Sequence, residues 1–465
     1  MAVSKRPRLL IEEWLPAAAI GVECMRERGS ASALAPHTYL HVWWARRPLV
    51  ASRAAVLASL LPADFPRDVF ERLLGFGHSS QELVQIRQLM DTGYRVKGGF
   101  NCDRAFKANL LPGDLDTAHA AARKLWDGEI TVIDPMAGGG SIPLEAARLG
   151  FKTLANEYNP VACSILEATV DYPFRYGEAL AKKARKWAKV WIERVENRLS
   201  PFYPEHKFAN VHAYVFARTV PCPDTGFETP LVPDWHLLKP KSGQRFAAVP
   251  IADKAKGTWK VMIREVGTRA GQKETPRPTY SDGKGISLFT DRQIPADYIK
   301  SMAQQGKMGS VLYAIALKTP QGLKFQPPEA VDVKVLDQAE KELRRLRTGW
   351  EKANIIPTEL YPEVSTDERP QIYGMPRWAD MYSPRQLLCF GVLMEEAKAI
   401  YRDILRDEGA RVGEGVFHLL AFVLDKFTNY NSVLCSWHAP RSVMRSVFDR
   451  HDFSFKFTFA EMAPC

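Results

Sequence analysis

The chain has 465 residues, 46% of them hydrophobic, and this apolar content is enough to bury at least two cores. Its 63 Lys and Arg residues exceed its 53 Asp and Glu residues by 10, a net charge that suits a polyanionic partner without identifying one. No apolar run reaches the roughly 20 residues of a membrane span, and no C-x-x-C pair occurs, so we expect a cytoplasmic protein without a membrane partner or a disulfide framework.

The first predicted domain is helical and covers residues 1–125. Apolar residues recur at helical spacing in residues 48–61 and again in residues 80–91. Each of these runs predicts an amphipathic helix, because a 3.6-residue period places its apolar side chains on one face.

The second predicted segment, residues 126–200, begins with a strand and a glycine loop. Residues 129–134 read E-I-T-V-I-D, an apolar β-branched run that is typical of a buried parallel strand. Pro135 and three glycines end this strand and let the backbone turn sharply. We expect a helix to begin at Ser141 and to stop at Gly150.

A second strand and a third element follow in the same segment. Residues 151–155 predict the strand, and Asn159-Pro160 is a natural N-cap and first-turn pair for a helix. Glu157 lies between them, at the tip of the second strand, where acidic residues of such units accept hydrogen bonds from ribose hydroxyls. The order predicts a βαβα unit and an α/β, Rossmann-like fold class.

S-adenosylmethionine is the ligand that this unit predicts. A nicotinamide dinucleotide is the alternative, but its fingerprint spaces three glycines as G-x-G-x-x-G, whereas the three glycines here are contiguous and follow Asp-Pro. A glycine-rich turn that binds nothing is the other alternative. The expected cofactor-binding residues are Asp134, Pro135, Met136, Ala137, Gly138, Gly139, Gly140, Glu157 and Asn159.

Two further segments complete the predicted organisation. Residues 201–361 are rich in strand-like runs and loops, and residues 362–465 form a mainly helical segment expected to return to the core. Within the first of these, residues 239–273 concentrate Lys and Arg with Gly and Pro between them. Such a stretch suits contact with a nucleic-acid backbone, and a solvated loop is its alternative interpretation.

Four stretches of the chain, taken in order, resemble one known family. They are Leu9–Pro16, Leu40–Leu49 with its W-W-A-R-R-P block, the D-P-M-A-G-G-G-S loop, and Asn429–Trp437. Together they resemble large adenine-specific DNA methylases of prokaryotes that carry an N-terminal domain of unknown function. The resemblance implies S-adenosylmethionine as methyl donor, DNA as partner, and a target-recognition role for the β-rich inserted region.

The chain departs from that family in a zinc ribbon. Members often hold zinc with two cysteine pairs in the inserted region. Here Cys222 has no cysteine partner in residues 223–227, and residues 283–290 contain none either. We therefore expect no metal, and a metal-free β-hairpin region for which residues 246–251 and 309–317 supply strand-like runs.

The second departure concerns catalysis. Methylases of exocyclic amines use an Asp, Asn or Ser before Pro-Pro and an aromatic residue, which together hold the amine protons and stack on the flipped base. No such tetrapeptide occurs in the chain: Gln326–Glu329 has only the prolines, and Asp171–Phe174 has only one. Family members are longer and carry the motif further on. The catalytic residues are therefore unknown, and the catalytic half would come from a second polypeptide or has been lost.

The block upstream of the glycine loop is a second candidate constellation. In related amino-methyltransferases a H-x-x-P-A-K-like block packs over the methionine end of the donor, and H-V-W-W-A-R-R-P resembles it. We expect His41, Trp44 and Arg46 to lie near the cofactor, where a guanidinium can pair with the donor carboxylate or with a DNA phosphate. Buried tryptophans beside arginines that cap a helix are the alternative.

The leading hypothesis is the N-terminal portion of an S-adenosylmethionine-dependent adenine DNA methyltransferase. It combines a helical N-terminal domain, part of a Rossmann-like core and an inserted recognition region. A non-catalytic DNA-binding or scaffold protein derived from such an enzyme is the second hypothesis, and an RNA methyltransferase is the third.

Overall fold

A computed structural model describes residues 7–29, 34–206, 209–267, 275–363, 365, 367–450 and 452–464. About 48% of the chain is helix and 19% is strand, so the protein belongs to the mixed α/β class, as predicted. The chain divides into two compact units. Unit 1 comprises Met1–Ala184 and Ala410–Phe422, and unit 2 comprises Arg185–Gly409 and Val423–Cys465. The domain boundaries placed at 125, 200 and 361 stay predictions.

Unit 1 contains short N-terminal helices followed by a βαβα segment. Its elements are α1 (Leu10–Glu13), α2 (Ala17–Arg28), α3 (Leu49–Leu60), α4 (Arg67–Leu74), α5 (Ser80–Asp91), α6 (Pro112–Trp126), β1 (Thr131–Asp134), α7 (Ser141–Arg148), β2 (Lys152–Ala155), α8 (Pro160–Leu166) and the first part of α9 (Tyr172–Leu199). The two helices predicted near residues 48–61 and 80–91 are α3 and α5. The predicted order of strand, helix, strand and helix after residue 129 is confirmed.

One hydrophobic core joins the N-terminal helices of unit 1 to its βαβα segment. Leu57 of α3, Phe70 of α4 and Ala122 of α6 are buried in the same cluster as Ala146 of α7 and Phe151 before β2. Burial of this apolar surface is the main stabilising term for such a cluster. The strand and the helix that flank the glycine loop, β1 and α7, therefore pack against the N-terminal helices.

The two strands of unit 1 pair in parallel but are not buried as predicted. Thr131 to Asp134 of β1 lie in register with Lys152 to Ala155 of β2. Val132 packs against the core of unit 1, whereas Ile133 and Leu154, which are register partners on the opposite face, are 64% and 52% exposed. The prediction of a buried strand was wrong because, in the described part of the chain, the face that carries Ile133 and Leu154 is left uncovered.

Unit 2 is built on antiparallel strands. They are β3 (Asn210–Pro221), β4 (Glu228–Pro230), β5 (His236–Leu238), β6 (Arg245–Asp253), β7 (Thr258–Val266), β8 (Tyr280–Ser281), β9 (Lys284–Ile286), β10 (Gln293–Ile294), β11 (Gly309–Thr319), β12 (Gly322–Gln326), β13 (Ser436–His438), β14 (Val443–Arg445) and β15 (Thr458–Glu461). The largest sheet has the order β12-β11-β3-β15, with β4 also paired to β3. The strand-like runs predicted at 246–251 and 309–317 are β6 and β11, which lie in different sheets.

Helices complete the chain between and after these strands. They are α10 (Ala296–Gln304), α11 (Ala330–Lys352), α12 (Arg369–Ile372), α13 (Pro384–Glu408) and α14 (Ala410–Tyr430), the last divided between the two units after Phe422. Within unit 2, the buried Arg385 of α13 pairs with Glu461 of β15 at 2.5 Å. This ion pair fixes β15 to α13. In the described residues no helix has the length and apolarity to cross a bilayer.

Candidate ligand-binding site at the glycine loop

The glycine loop leaves β1 in a tight turn that is tied to the end of β2. The Asn156 N–H donates to the Asp134 carbonyl at 2.9 Å, and the Ala137 N–H donates to the Asn156 carbonyl at 3.0 Å. Gly138 has φ +52° and Gly140 has φ +79°, which are left-handed values that favour glycine. These bonds bring the carboxyl ends of both parallel strands to one place, which is where α/β sheets bind their ligands.

Glu157 closes the loop with its own carboxylate. The Gly138 N–H donates to Glu157 Oε2 at 2.6 Å, while the N–H groups of Tyr158 and Asn159 donate to Oε1 at 2.8 and 3.1 Å. These backbone donors, first that of Asn159 and then those of Gly138 and Tyr158, hold the pKa of Glu157 below its ordinary value. The carboxylate thus organises the loop, and a ribose would have to share it with the Gly138 N–H.

Three further residues predicted from the sequence, Pro135, Met136 and Asn159, are exposed at the edge of the loop. Asn159 N-caps α8, because its side chain accepts a hydrogen bond from the Val161 N–H at 2.9 Å, as the Asn-Pro pair predicts. Met136 and Tyr158 are exposed, and Pro135 is exposed beside them. These side chains stand open to solvent at the carboxyl ends of the two strands.

The W-W-A-R-R-P block covers the glycine loop, but through Trp43 and not Trp44. A Cβ placed on Gly138 would lie 2.9 Å from Trp43 Nε1, and one on Gly139 would lie 2.9 Å from both Trp43 Cδ1 and Arg46 Nε. Trp44 is 47% exposed, and its place near the cofactor stays a prediction, whereas the contact of Trp43 with the loop was not predicted. Glycines are required here because the indole and the guanidinium fill the space that a side chain would need.

Trp43 and His41 also contact the helices behind the loop. Trp43 packs against a buried cluster of Ile165, Ala168 and Phe422. The His41 ring meets the Phe422 ring at 6.2 Å, edge to face. The block is therefore seated in the apolar interior of unit 1 and presents one indole to the loop.

Arg46 is buried beside the loop with most of its hydrogen-bonding capacity unused. Its Nη1 donates to the His37 carbonyl at 3.1 Å, while Nε and Nη2 have no partner among the described residues. Burial lowers the pKa of Arg46 to about 10, so the guanidinium stays charged at neutral pH. Burial, together with the charges of Arg46 and Arg148, lowers the pKa of His37 to about 3, so that ring is neutral.

The helix after the glycine loop is anchored by a fully buried ion pair. Arg53 of α3 donates through Nε to Glu145 of α7 at 2.5 Å, and both side chains are inaccessible to solvent. Arg53 Nη1 also donates to the carbonyls of Leu74 and Ala105 at 3.2 and 3.3 Å. No local pattern in the sequence indicates this pair, because its members lie 92 residues apart.

In unit 2, the predicted ribbon region consists of two matched turns, residues 222–227 and 287–292. In each turn the N–H of the first residue donates to the carbonyl of the sixth, at 2.8 and 2.9 Å respectively. The N–H of the fifth residue donates to the carbonyl of the first, at 2.7 and 3.1 Å. The fifth residue has a positive φ in both, +73° at Gly226 and +58° at Asp291.

The first residues of the matched turns are hydrogen-bonded to each other. Cys222 Sγ donates to Ser287 Oγ at 3.2 Å, and the fourth residues of the turns are Thr225 and Thr290. Burial raises the pKa of the Cys222 thiol, but hydrogen bonds to Ser287 and Thr225 outweigh it and hold that pKa below its ordinary value. The serine hydroxyl of Ser287 therefore lies where a second cysteine pair of the family's zinc ribbon would begin. Among the described residues no group of three or more His, Cys, Asp or Glu is placed to hold a metal ion.

The prolines considered for catalysis lie in structural positions. Pro327 and Pro328 link β12 to α11, and Glu329 is the N-cap of α11. Asp171 ends a π-helical turn, and its carboxylate pairs with Arg175 at 2.7 Å. Neither segment offers an acceptor loop for an exocyclic amine.

The basic stretch predicted at 239–273 is for the most part a hairpin. Strands β6 and β7 cover much of it, and residues 268–273 lie outside the described residues. Several of its lysines face carboxylates: Lys239 pairs with Asp234 at 3.1 Å and Lys254 with Asp291 at 3.4 Å. Part of the positive charge is thus balanced within unit 2.

A match to a known protein family covers part of the N-terminal region. Residues 14–74 match the family described as "Protein of unknown function (DUF1156)". No curated protein and no solved structure matches the chain. The matched segment includes Trp43 and Arg46, the two residues that cover the glycine loop.

Proposed function

We propose that this chain is the donor-binding portion of an S-adenosylmethionine-dependent, adenine-specific DNA methyltransferase. The observation that supports it is the glycine loop at the carboxyl ends of two parallel strands, with Glu157 at its tip and Trp43 and Arg46 over it. Backbone N–H groups, a carboxylate and an indole are the groups that bind the nucleoside and amino-acid parts of such a donor.

The exposed face of the parallel sheet supports the proposal that a further segment completes the donor-binding portion. Parallel strands in proteins are covered on both faces, yet Ile133 and Leu154 stand exposed here. The proposed partner is an α/β segment that pairs with this sheet, covers that face and carries the acceptor loop. DNA is the proposed substrate, contacted in part by the basic hairpin β6-β7.

A non-catalytic DNA-binding or scaffold protein derived from such an enzyme is the second candidate. The absence of the Asp/Asn/Ser-Pro-Pro-aromatic tetrapeptide from the sequence favours it. The two candidates share the donor-binding loop and differ only in whether an acceptor loop is ever supplied.

Calorimetry with S-adenosylhomocysteine tests the donor site. We expect the wild-type chain to bind and Gly139→Ala to abolish binding, because the added methyl would meet Trp43 and Arg46 at 2.9 Å. The matched control is Gly21→Ala in α2, where a Cβ meets nothing within 4 Å. Equal binding by both variants and the wild type would contradict the site.

A radiolabel assay tests whether the chain alone lacks methyl-transfer activity. We expect the chain alone to transfer no methyl group from S-adenosylmethionine to DNA, since nothing holds the target amine. Adenine methylation by the pure chain that Gly139→Ala abolishes would show that another segment performs this role.

A further inference from the structure

Unit 2 contains a pocket that lies outside the sites described above. Its volume is about 310 Å³, and every described residue of its lining belongs to unit 2. The lining is mostly apolar and includes Trp191 and Val195 of α9, Leu393 of α13, and Phe427 and Tyr430 of α14. Residues three or four apart on a helix share one face, so α9 and α14 each present an apolar face to the pocket. A concave, mostly apolar pocket of this size is typical of a site for a small molecule.

The apolar lining of this pocket is partly open to solvent. Two of its residues, Ile192 and Val423, are 48% and 46% exposed, whereas Trp191 is 2% exposed. Trp191 Nε1 already donates to the Leu393 carbonyl at 3.1 Å, so its indole offers a ligand apolar surface only. An apolar chain in the pocket would remove this surface from water, which favours its binding.

Lys426 of α14 also lines the pocket, and it has no counter-ion among the described residues. Its side chain is partly buried, and its Nζ lies 5.9 Å from the centroid of the Tyr430 ring. Burial lowers the pKa of Lys426. An ammonium group beside apolar surface loses part of its hydration, and an anion bound to it compensates for that loss. Glu196, the other charged residue of the described lining, is exposed on α9, so water screens its charge.

We propose that this pocket binds a small apolar carboxylic acid, whose chain packs on the apolar lining and whose carboxylate pairs with Lys426. A carboxylate accepts a charge-assisted hydrogen bond from an ammonium group. Lys426 is the single cation among the described residues of the lining, which suits a monoanion better than a phosphate. The proposal is independent of the donor site in unit 1 and of any nucleic-acid partner.

Binding of two probes that share a chain and differ in the head group tests the proposal. Calorimetry would compare octanoate with octan-1-ol for the wild type, Lys426→Met and Lys189→Met. We expect the wild type to bind octanoate at one site and octan-1-ol about ten-fold more weakly. Lys426→Met should weaken octanoate by about ten-fold or more and leave octan-1-ol within about two-fold, because it removes the charge and keeps the apolar length. Lys189→Met, at an exposed lysine of α9 outside the pocket, is the matched control and should change neither affinity.

A second variant tests the position of the pocket without altering its charge. Val423→Trp should abolish binding of both probes, because an indole at this half-exposed lining position fills the pocket. Val333→Trp, at a valine of α11 that is 50% exposed and outside the pocket, is its control and should bind both probes as the wild type does.

The remaining outcomes would overturn the proposal. A wild type that does not bind octanoate contradicts the site, and equal affinities for the two probes, or equal losses in Lys426→Met, contradict the carboxylate assignment. Light scattering covers the alternative occupant: self-association of the wild type that Val423→Trp removes, without octanoate binding, would assign this face to a second copy of the chain. Thermal unfolding of the ligand-free proteins should give Lys426→Met a midpoint no lower than that of the wild type, because a partly buried unpaired charge is removed.

Discussion

The glycine-loop site of unit 1 and the matched turns of unit 2 are both sharp backbone turns that bring polar side chains together. They differ in whether those side chains find hydrogen-bond partners within the protein. In the matched turns, Cys222 donates to Ser287, and Thr290 Oγ1 donates to Asp224 at 3.1 Å. At the glycine loop, Arg46 and Ser141 keep buried polar atoms without partners among the described residues. Because buried polar groups are almost always hydrogen-bonded, the first arrangement holds structure and the second is suited to a ligand.

The largest expected effect is the loss of stability when the ion pair between Arg53 and Glu145, which anchors the helix after the glycine loop, is broken. Glu145→Gln should lower the free energy of unfolding by roughly 3–5 kcal/mol, because it leaves Arg53 buried and unpaired. Denaturant unfolding measures the loss. Glu178→Gln is the matched control, since the exposed pair of Glu178 with Lys182 should contribute less than about 1 kcal/mol. A loss as small as that of the control would contradict the role given to the pair.

The next largest effect is expected at Glu157, because its carboxylate accepts a hydrogen bond from the loop and is also proposed to contact the ribose of the ligand. Glu157→Ala should weaken S-adenosylhomocysteine by about ten-fold or more, since it removes the acceptor of the Gly138 N–H as well as the ribose contact. Glu129→Ala, at an exposed position before β1, is the control. Calorimetry that gives both variants the wild-type affinity would contradict the assignment.

The same carboxylate predicts a pH dependence. The folded-state pKa of Glu157 is lowered, so its ordered, ionised form contributes above the ordinary glutamate range and is lost as the pH falls through the lowered value. We expect S-adenosylhomocysteine affinity to be constant near neutral pH and to fall in acid. In Glu157→Gln this acid dependence should disappear, and a Gln variant with the wild-type profile would assign the titration to another group.

The sequence predicts what depends on local spacing and misses what depends on distant packing. The βαβα order, the Asn159 cap and the helices α3 and α5 follow from runs of neighbouring residues, and the structure confirms them. The exposure of Ile133 was missed, because burial depends on what covers a strand and not on its composition. Two adjacent tryptophans look alike in sequence, and only the turn around them directs Trp43 to the loop.

The matched turns show a signal that the sequence did carry. Ser287 does not stand out when only cysteine pairs are considered. Cys222 and Thr225 nevertheless have the same i, i+3 spacing as Ser287 and Thr290. A repeated spacing of small polar residues before a residue with positive φ marks both turns.

That repeated spacing predicts a gain of function. The variant that carries Thr225→Cys, Ser287→Cys and Thr290→Cys, with Cys222 unchanged, should bind one zinc ion per chain, because two C-x-x-C turns would then face each other. Elemental analysis measures the metal, and the tetrahedral absorption of the cobalt-loaded protein reports its geometry. Ser287→Cys alone is the control and should hold no stoichiometric zinc. A triple variant without metal would show that the turns are matched in backbone only.

The smallest expected effect is at Cys222 itself. Cys222→Ser should change the free energy of unfolding by less than about 1 kcal/mol, because a serine hydroxyl can still donate to Ser287 Oγ and the contribution of one neutral hydrogen bond is of that order. Cys222→Ala should lose more, since it removes the donor and leaves a cavity. Thermal and denaturant unfolding of both variants, with elemental analysis of the wild type, decide the matter. Stoichiometric zinc in the wild type that Cys222→Ser removes would show that these turns bind a metal. The matched turns would then be a ligand site like the glycine loop, and the contrast between a structural and a ligand-binding arrangement would be wrong.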